Sequence, residues 1–157
     1  MKLWKYVVVG AVGLVTGSIL CERKLNKRVY SAQNLSDKHL TLFLLMTQWI
    51  KNSQNNKNLV DFFKKHNYST VAIYGMSHVG QCLFQELQAS DIQIRYVIDN
   101  AVPNIRITCP ILTSRDELET VDAIIVTPVF SYDEIKENLS SKISCPIISL
   151  ESILYEG

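Results

Sequence analysis

Apolar residues recur with different periods in different parts of the chain. Residues 6–21 carry no charge and are mostly apolar, whereas residues 34–67 place apolar side chains at every third or fourth position. After residue 68, short apolar runs alternate with amphipathic segments. Short continuous runs are typical of buried strands, and the three-to-four spacing is typical of helices. The pattern predicts a hydrophobic anchor, a helical connection and a C-terminal α/β domain.

Residues 70–87 are the segment around which we expect that domain to be organised. A short apolar run ends at Gly75, and Gly80 opens a segment in which apolar side chains recur every fourth position, at Val79, Leu83 and Leu87. This order predicts a strand, a tight turn and a helix. In dinucleotide-binding βαβ units, such a turn brings the backbone close to a pyrophosphate at the N-terminus of the helix.

The later segments complete the predicted sheet. Further strands are expected at residues 92–99, 105–112, 121–127 and 146–150, with a helix over 131–142, one helical turn over 114–118 and a closing turn over 151–156. Parallel strands joined by crossovers imply a small doubly wound sheet in the order 3-2-1-4-5. The predicted domains are a transmembrane anchor (1–22), a basic juxtamembrane and helical connecting region (23–67) and the α/β domain (68–157).

The connecting region is expected to contain two helices. Ser36 is suited to cap the first, whose apolar positions are Leu40, Phe43, Leu44, Thr47 and Ile50. A polar run over 52–58 interrupts the pattern, and a second short helix follows with Leu59, Phe62 and Phe63 apolar. We expect these helices to pack on the following domain or to pair between chains; an interfacial position touching lipid is the alternative.

The N-terminal apolar run is best interpreted as a single-pass anchor in the bilayer through residues 3–21, close to the ~20 residues that a spanning helix needs. A cleaved signal peptide, a lipoprotein signal ending at Cys21 and a nucleotide-binding turn at Gly10–Gly17 are the alternatives. The first lacks a small-residue cleavage site, the second has Leu20 before the cysteine, and the third lacks a following strand that ends in an acid. The basic residues over 23–28 favour a cytoplasmic C-terminal domain.

Charge and cysteine content limit the classes of function. Residues 1–68 carry 11 Lys and Arg against 3 Asp and Glu, whereas residues 69–157 carry 5 against 12. The acidic half therefore disfavours nucleic-acid binding, while the basic half suits a membrane surface. The four cysteines are scattered, with no pair at metal-ligand spacing, so we expect no metal site and reduced cysteines.

The predicted turn supplies the candidate ligand-binding residues, which run consecutively: Gly75, Met76, Ser77, His78, Val79 and Gly80. They keep the first and last glycines of G-x-G-x-x-G and carry serine in the middle. Asp99, at the end of the second strand, has the position of the acid that holds a ribose hydroxyl. The combination favours an NAD-like cofactor over an NADP-like one.

These motifs, with residues 121–128, resemble Rossmann domains of bacterial surface-polysaccharide loci. The likeness is to the nucleotide-binding parts of sugar-nucleotide epimerase/dehydratase-related proteins and of sugar O-acyltransferases. The resemblance implies that NAD or a sugar nucleotide binds with its phosphate at Gly75, Ser77 and Gly80, its ribose at Asp99, and Thr127 facing the crevice. We expect an accessory role in polysaccharide biosynthesis, beside a membrane or polysaccharide enzyme or as a homodimer.

Two other functions remain open from the sequence. Tyr132 and Lys136 form a Y-x-x-x-K pair, which resembles the catalytic pair of short-chain dehydrogenases and would make the chain a minimal NAD-dependent oxidoreductase or epimerase. The other alternative is a structural interaction domain that binds no nucleotide. We favour the non-catalytic nucleotide-binding module, since no serine partner for the tyrosine is identifiable.

Overall fold

We describe a computed structural model of the chain, covering the backbone of residues 2–101 and 107–156 and the side chains from residue 25 onward within those ranges, except 26 and 28. The chain divides into two compact units, Met1–Leu44 and Leu45–Gly157. The helices are α1 (Lys2–Gln54), α2 (Leu59–Lys65), α3 (His78–Gln88), α4 (Tyr132–Ser140) and α5 (Leu150–Glu156). The strands are β1 (Thr70–Tyr74), β2 (Gln93–Ile98), β3 (Ile111–Leu112), β4 (Ala123–Val126) and β5 (Ile147–Ser149).

The five strands form one parallel sheet in the order β3-β2-β1-β4-β5, which confirms the predicted topology. The order reverses direction between β1 and β4, which makes their carboxyl ends the switch point of the sheet. β4 is buried along its whole length, as its continuous apolar run predicts. The predicted third strand is shorter than expected, because only Ile111–Leu112 of the described residues pair with β2.

Helices pack on the sheet through alternating strand residues. α3 contacts β1 and β2 and buries Val79, Leu83 and Leu87, as its spacing predicts. α4 buries Ile135 and Leu139 in a cluster with side chains of the central strands, among them Ala72, Tyr96, Ile98, Ile124 and Val126. The short helices α2 and α5 contact each other and bury Phe63, Leu150 and Ile153.

The helix predicted to begin at Ser36 does not begin there. Residues 2–54 form one continuous helix, because no glycine or proline occurs between residues 18 and 58 to interrupt it. The helix ends in the predicted polar run, where Asn56 takes a positive φ of 56°. The second predicted helix is confirmed as α2, and the Asn58 side chain accepts a hydrogen bond from the backbone N–H of Val60.

The last turns of α1 are part of the second unit. Leu45 and Trp49 are buried there, and the Trp49 indole Nε1–H donates to Glu86 on α3 at 2.7 Å. The buried Asn52 amide donates to the carbonyl oxygen of Leu154 at 2.7 Å. The compact second unit therefore begins at Leu45 and includes the end of α1.

Two further predictions concern the helical turn at residues 114–118 and the membrane anchor. Residues 114–118 form no helix; Ser114 and Arg115 lie in a turn, beside which the Asp116 carboxylate accepts from the Thr113 N–H and hydroxyl. Among the residues that the structure describes, no helix combines the length and the apolar content that crossing a membrane requires. The side chains of the predicted anchor, residues 1–22, lie outside that description.

Candidate functional site

The turn between β1 and α3 depends on its two glycines. Gly75 has φ +90, and a Cβ there would lie 2.9 Å from Pro128 and from the Thr127 Oγ1. A Cβ at Gly80 would lie 2.0 Å from the carbonyl oxygen of Gly75. Gly75 therefore permits the left-handed turn, and Gly80 permits the first turn of α3 to pack directly on it. These are two of the three roles that glycines have in dinucleotide-binding turns.

The start of α3 presents backbone donors. Ser77 is the N-cap residue, and its side chain makes no capping hydrogen bond. The N–H groups of residues 77–80 donate to no group that the structure describes, whereas the next N–H, of Gln81, donates to the Ser77 carbonyl. Ser77 and His78 are exposed. Free amides at the positive end of a helix dipole attract an anion.

Asp99 lies beside this turn, as predicted, but its carboxylate already binds backbone. One oxygen accepts from the Met76 N–H at 2.7 Å, and the other accepts from the Ala101 N–H at 2.9 Å. The Met76 amide is therefore used within the protein and does not face a ligand. Each carboxylate oxygen has a second lone pair, so Asp99 retains the capacity to accept a ribose hydroxyl.

Two other predicted site residues are buried in the turn itself. The Met76 side chain is 3% exposed and Thr127 is 2% exposed. The Thr127 Oγ1–H is directed at the carbonyl oxygens of Gly75 and Tyr74, at 2.9 and 3.2 Å. Thr127 thus connects the end of β4 to the β1–α3 turn through hydrogen bonds. Val79, another predicted site residue, is buried in the core beneath α3.

A groove of about 560 Å³ runs along α4 from the carboxyl ends of the strands. We call it the α4 groove. It is lined by residues that follow the strands and by one side of α4: Tyr74, Asn100, Ser114, Arg115, Pro128, Ser131, Glu134, Ile135, Asn138, Leu139, Ser141 and Lys142. Ligands of open α/β sheets bind outside the carboxyl ends of the strands at the switch point, and this groove starts there.

One wall of the α4 groove is a chain of hydrogen bonds between residues distant in sequence. The Asn100 amide donates to the Tyr74 hydroxyl at 3.3 Å and accepts from the Ser114 N–H and hydroxyl at 3.0 and 2.9 Å. The Lys142 ammonium donates to the Ser114 carbonyl. These bonds fix the loop after β3 against both the sheet and the end of α4.

The α4 groove contains charged and titratable groups of both signs. Arg115 is exposed, and its guanidinium makes no hydrogen bond or ion pair with a described residue. Burial raises the pKa of Tyr74, and the negative charges of Asp99 and Glu134 raise it further. The hydrogen bond from Asn100 lowers it by less than these causes raise it. Tyr74 therefore stays protonated at neutral pH and keeps a donor hydroxyl.

The Tyr132–Lys136 pair lies on one side of α4, but its hydroxyl has a structural partner. The Tyr132 O–H donates to the Ile147 carbonyl of β5 at 2.8 Å, and the Lys136 ammonium lies 5.5 Å from the centre of the tyrosine ring. Neither residue lines the α4 groove. The spacing predicted the shared face correctly, while the hydroxyl serves to join α4 to the sheet.

No metal centre is formed by the described residues, in which no three His, Cys, Asp or Glu side chains come together. Cys82, Cys109 and Cys145 are free thiols, and burial raises the pKa of the latter two, which keeps them protonated. Cys21 lies outside the described side chains.

The α4 groove was missed from the sequence. Three of its polar residues, Asn100, Ser114 and Arg115, lie two or three positions after the second and third strands, where parallel strands bring their carboxyl ends to one edge. Their position after the strands was the sequence signal from which the groove could have been predicted. Lys142 and Ser131 enter the groove from the other side, and their approach depends on how α4 packs.

Comparison of the chain with protein-family models, with curated proteins and with solved structures finds no match.

Proposed function

We propose that the C-terminal domain binds a phosphorylated ligand of the nucleotide or sugar-nucleotide class and acts as an accessory module without catalysis of its own. The ligand lies at the carboxyl edge of the sheet, with a phosphate at the start of α3 and its remainder in the α4 groove. The observation that carries the proposal is the adjacency of these two features. Tyr74 and Asn100 of the groove are the chain neighbours of Gly75 and Asp99 in the turn.

The phosphate position is supported by the N–H groups of residues 77–80, which have no acceptor among the described residues. A phosphate oxygen satisfies such donors and gains from the helix dipole. The Met76 side chain is buried whereas Ser77 and His78 are exposed, so the proposed phosphate rests on the Ser77 and His78 side of the helix start. The serine that replaces the middle glycine then offers a hydroxyl to the same phosphate.

The groove is supported by its charge. Residues 69–157 have 5 basic against 12 acidic side chains, yet the charged residues of the α4 groove are Arg115 and Lys142 against Glu134. The two basic side chains can attract an anion locally, while the carboxylates of Asp99 and Asp116 lie near Tyr74 and Lys142. Asn100, Ser131 and Tyr74 add the neutral donors and acceptors that select among nucleotides and sugars.

The membrane setting and the pathway are part of the same proposal. Residues 3–21 tether the module to the bilayer with its domain at the cytoplasmic face, where sugar nucleotides are available for surface-polysaccharide synthesis. The resemblance of the turn to polysaccharide-locus Rossmann domains supports this class of ligand. A reporter enzyme fused to the C-terminus tests the orientation; activity outside the cytoplasm contradicts it.

Calorimetric titration of the full chain in detergent micelles tests the ligand. We expect NAD or a UDP-sugar to bind, and Arg115→Gln to weaken binding about tenfold or more, since hydrogen bonds to charged groups contribute ~1.5–3 kcal/mol. Arg95→Gln is the matched control, because Arg95 is a surface arginine that pairs with Glu119 at 3.3 Å, away from the groove. Equal affinities of the two variants exclude the α4 groove.

The same titration separates the alternatives. Absence of binding by NAD, NADP and UDP-sugars supports a structural interaction domain. Conversion of a bound ligand, detected by chromatography of the mixture, supports the oxidoreductase or epimerase. Asp99→Ala weakens nucleotide binding if the carboxylate holds the ribose; an unchanged affinity leaves Asp99 only its role in the turn.

A further inference from the structure

The direction of each hydrogen bond along the wall of the α4 groove follows from the chemistry of its groups. A backbone N–H can only donate, so the Asn100 atom that receives the Ser114 N–H at 3.0 Å is the amide oxygen. The Ser114 hydroxyl, at 2.9 Å from the same oxygen, holds the amide in this orientation. The amide nitrogen of Asn100 is therefore the atom that donates to the Tyr74 hydroxyl oxygen at 3.3 Å.

This orientation leaves the hydroxyl proton of Tyr74 available for a ligand. The Tyr74 oxygen accepts from Asn100, and its O–H donates to no residue that the structure describes. Because burial and nearby negative charges raise its pKa, the phenol keeps this proton at neutral pH. Tyr74 lines the α4 groove, so a ligand atom bound beside it has to be a hydrogen-bond acceptor.

Glu134 lies at the same end of the groove and requires the opposite partner. It lines the groove from α4, and its negative charge acts on Tyr74 together with that of Asp99. A carboxylate only accepts hydrogen bonds, so Glu134 needs a donor from the ligand. The two carboxylates also repel a phosphate from this end. A sugar hydroxyl carries no charge and both accepts and donates, so it satisfies Tyr74 and Glu134 at once.

Charges of the two signs are separated along the groove. Lys142 donates to the Ser114 carbonyl, which puts it at the far end of the chain of hydrogen bonds from Tyr74. Glu134 lies in the first turn of α4 and Lys142 follows its last residue, and a helix of nine residues is ~13 Å long. The end of the groove that contains Tyr74 and Glu134 is therefore acidic and suited to a neutral polar group.

We propose that Tyr74 and Glu134 bind the hydroxyl groups of a sugar ring, and so make the α4 groove selective for a sugar phosphate over phosphate alone. This inference rests on the proposed function and adds which part of the ligand lies at this end of the groove. Tyr74 directly precedes Gly75 of the β1–α3 turn, so the sugar lies next to the proposed phosphate position. The ribose of a nucleotide and the glycosyl group of a sugar nucleotide both present such hydroxyls.

Calorimetric titration of the full chain in detergent micelles with UDP-glucose, UDP and pyrophosphate tests this assignment, since pyrophosphate has no sugar. We expect Tyr74→Phe to weaken UDP-glucose binding ~3- to 10-fold, as for the loss of one neutral hydrogen bond, and to leave pyrophosphate binding unchanged. Glu134→Gln should strengthen pyrophosphate binding, because it removes a negative charge. In both variants the ratio of the UDP-glucose affinity to the pyrophosphate affinity should fall at least about threefold.

Tyr155→Phe and Glu137→Gln are the matched controls. Tyr155 is an exposed tyrosine of α5, and Glu137 is an exposed carboxylate of α4 three residues after Glu134; neither lines the α4 groove. UDP distinguishes the two sources of the hydroxyl groups. A loss with UDP-glucose alone assigns the site to the glycosyl group, and an equal loss with UDP assigns it to the ribose. If the wild type binds NAD and not UDP-glucose, NAD takes its place in the same comparison.

The outcomes separate this inference from the proposed function. If the wild type binds none of NAD, UDP-glucose and UDP, the proposed function is wrong and the inference fails with it. If the wild type binds, but the affinity ratios of Tyr74→Phe and Glu134→Gln equal those of the controls, the inference alone is wrong. A ratio that rises in Glu134→Gln also overturns it, because the acidic end of the groove then receives a charged group of the ligand.

Discussion

Gly80→Ala tests the geometry of the β1–α3 turn most directly. The added Cβ would lie 2.0 Å from the Gly75 carbonyl oxygen. Real Cβ contacts almost never fall below 3.0 Å, so the start of α3 must move by about 1 Å. The carbonyl cannot easily give way, because it accepts the Thr127 hydroxyl at 2.9 Å and belongs to a turn packed on Pro128.

The expected net effect is a loss of about 2 kcal/mol in the free energy of unfolding. Overpacking costs ~1–3 kcal/mol, and more where the backbone must shift. The cost of the close contact in this substitution is therefore about 3 kcal/mol or more. Replacing a glycine by alanine inside a helix returns ~1 kcal/mol. For a unit of the size of Leu45–Gly157, a loss of 2 kcal/mol lowers the Tm by about 8 °C.

Urea unfolding followed by the fluorescence of Trp49 measures this loss. Trp49 is 8% exposed and bonded to Glu86, so its emission reports on the second unit, and Trp4→Phe removes the other tryptophan. Gln85→Ala, at an exposed position of α3, is the control and should change stability by less than about 0.5 kcal/mol. If Gly80→Ala instead stabilises the protein by ~1 kcal/mol, the close contact with Gly75 does not exist and the turn is open.

Two further predictions concern Asp122 and Tyr132. The N–H groups of Thr70 and Ser69 and the Thr70 hydroxyl hold the pKa of Asp122 below its ordinary 3.8, so its stabilising effect is complete above about pH 4 and is lost as the pH falls through the lowered value. The difference in urea midpoint between the wild type and Asp122→Asn should therefore shrink below about pH 4; a constant difference contradicts this. Tyr132→Phe should cost about 1 kcal/mol through loss of the bond to the Ile147 carbonyl and leave nucleotide affinity unchanged. Loss of a measured turnover with binding retained would establish the enzymatic alternative.

The sheet was predictable because its signals are local. A parallel strand buried on both faces requires a continuous apolar run, and Ala123–Val126 is such a run. Gly75 and Gly80 are required by the turn itself, so their spacing located it. The right-handed crossover rule then left few strand orders, and the predicted one is observed.

The unpredicted features depend on contacts between distant residues. The bond from the Met76 amide to the Asp99 carboxylate, 23 residues later in the chain, could not be predicted from the sequence. Asp122 joins the starts of β1 and β4 through Thr70, 52 residues earlier in the chain. The spacing also indicated the wrong inward side for the end of α1, where Leu45 and Trp49 are buried in place of Ile50.

The connection between β3 and β4 explains why the α4 groove exists. In doubly wound sheets such a crossover usually carries a helix that packs on the same face as the next one. Here residues 113–122 form no helix, and the connection is held by polar bonds from Ser114 to Asn100 and Lys142 and by the Tyr96 hydroxyl on the Glu119 carbonyl.

A helix at that place would fill the space beside α4 with its own side chains. The short connection leaves that space as a groove, and it places Arg115 at the edge. Backbone amides at a helix N-terminus bind any phosphate alike, because they respond only to its charge and to the positions of its oxygens. In the proposed function, discrimination among nucleotides and sugars therefore has to come from the connection and from α4. A change of ligand preference should follow from exchanging residues 113–116 while the β1–α3 turn is left intact.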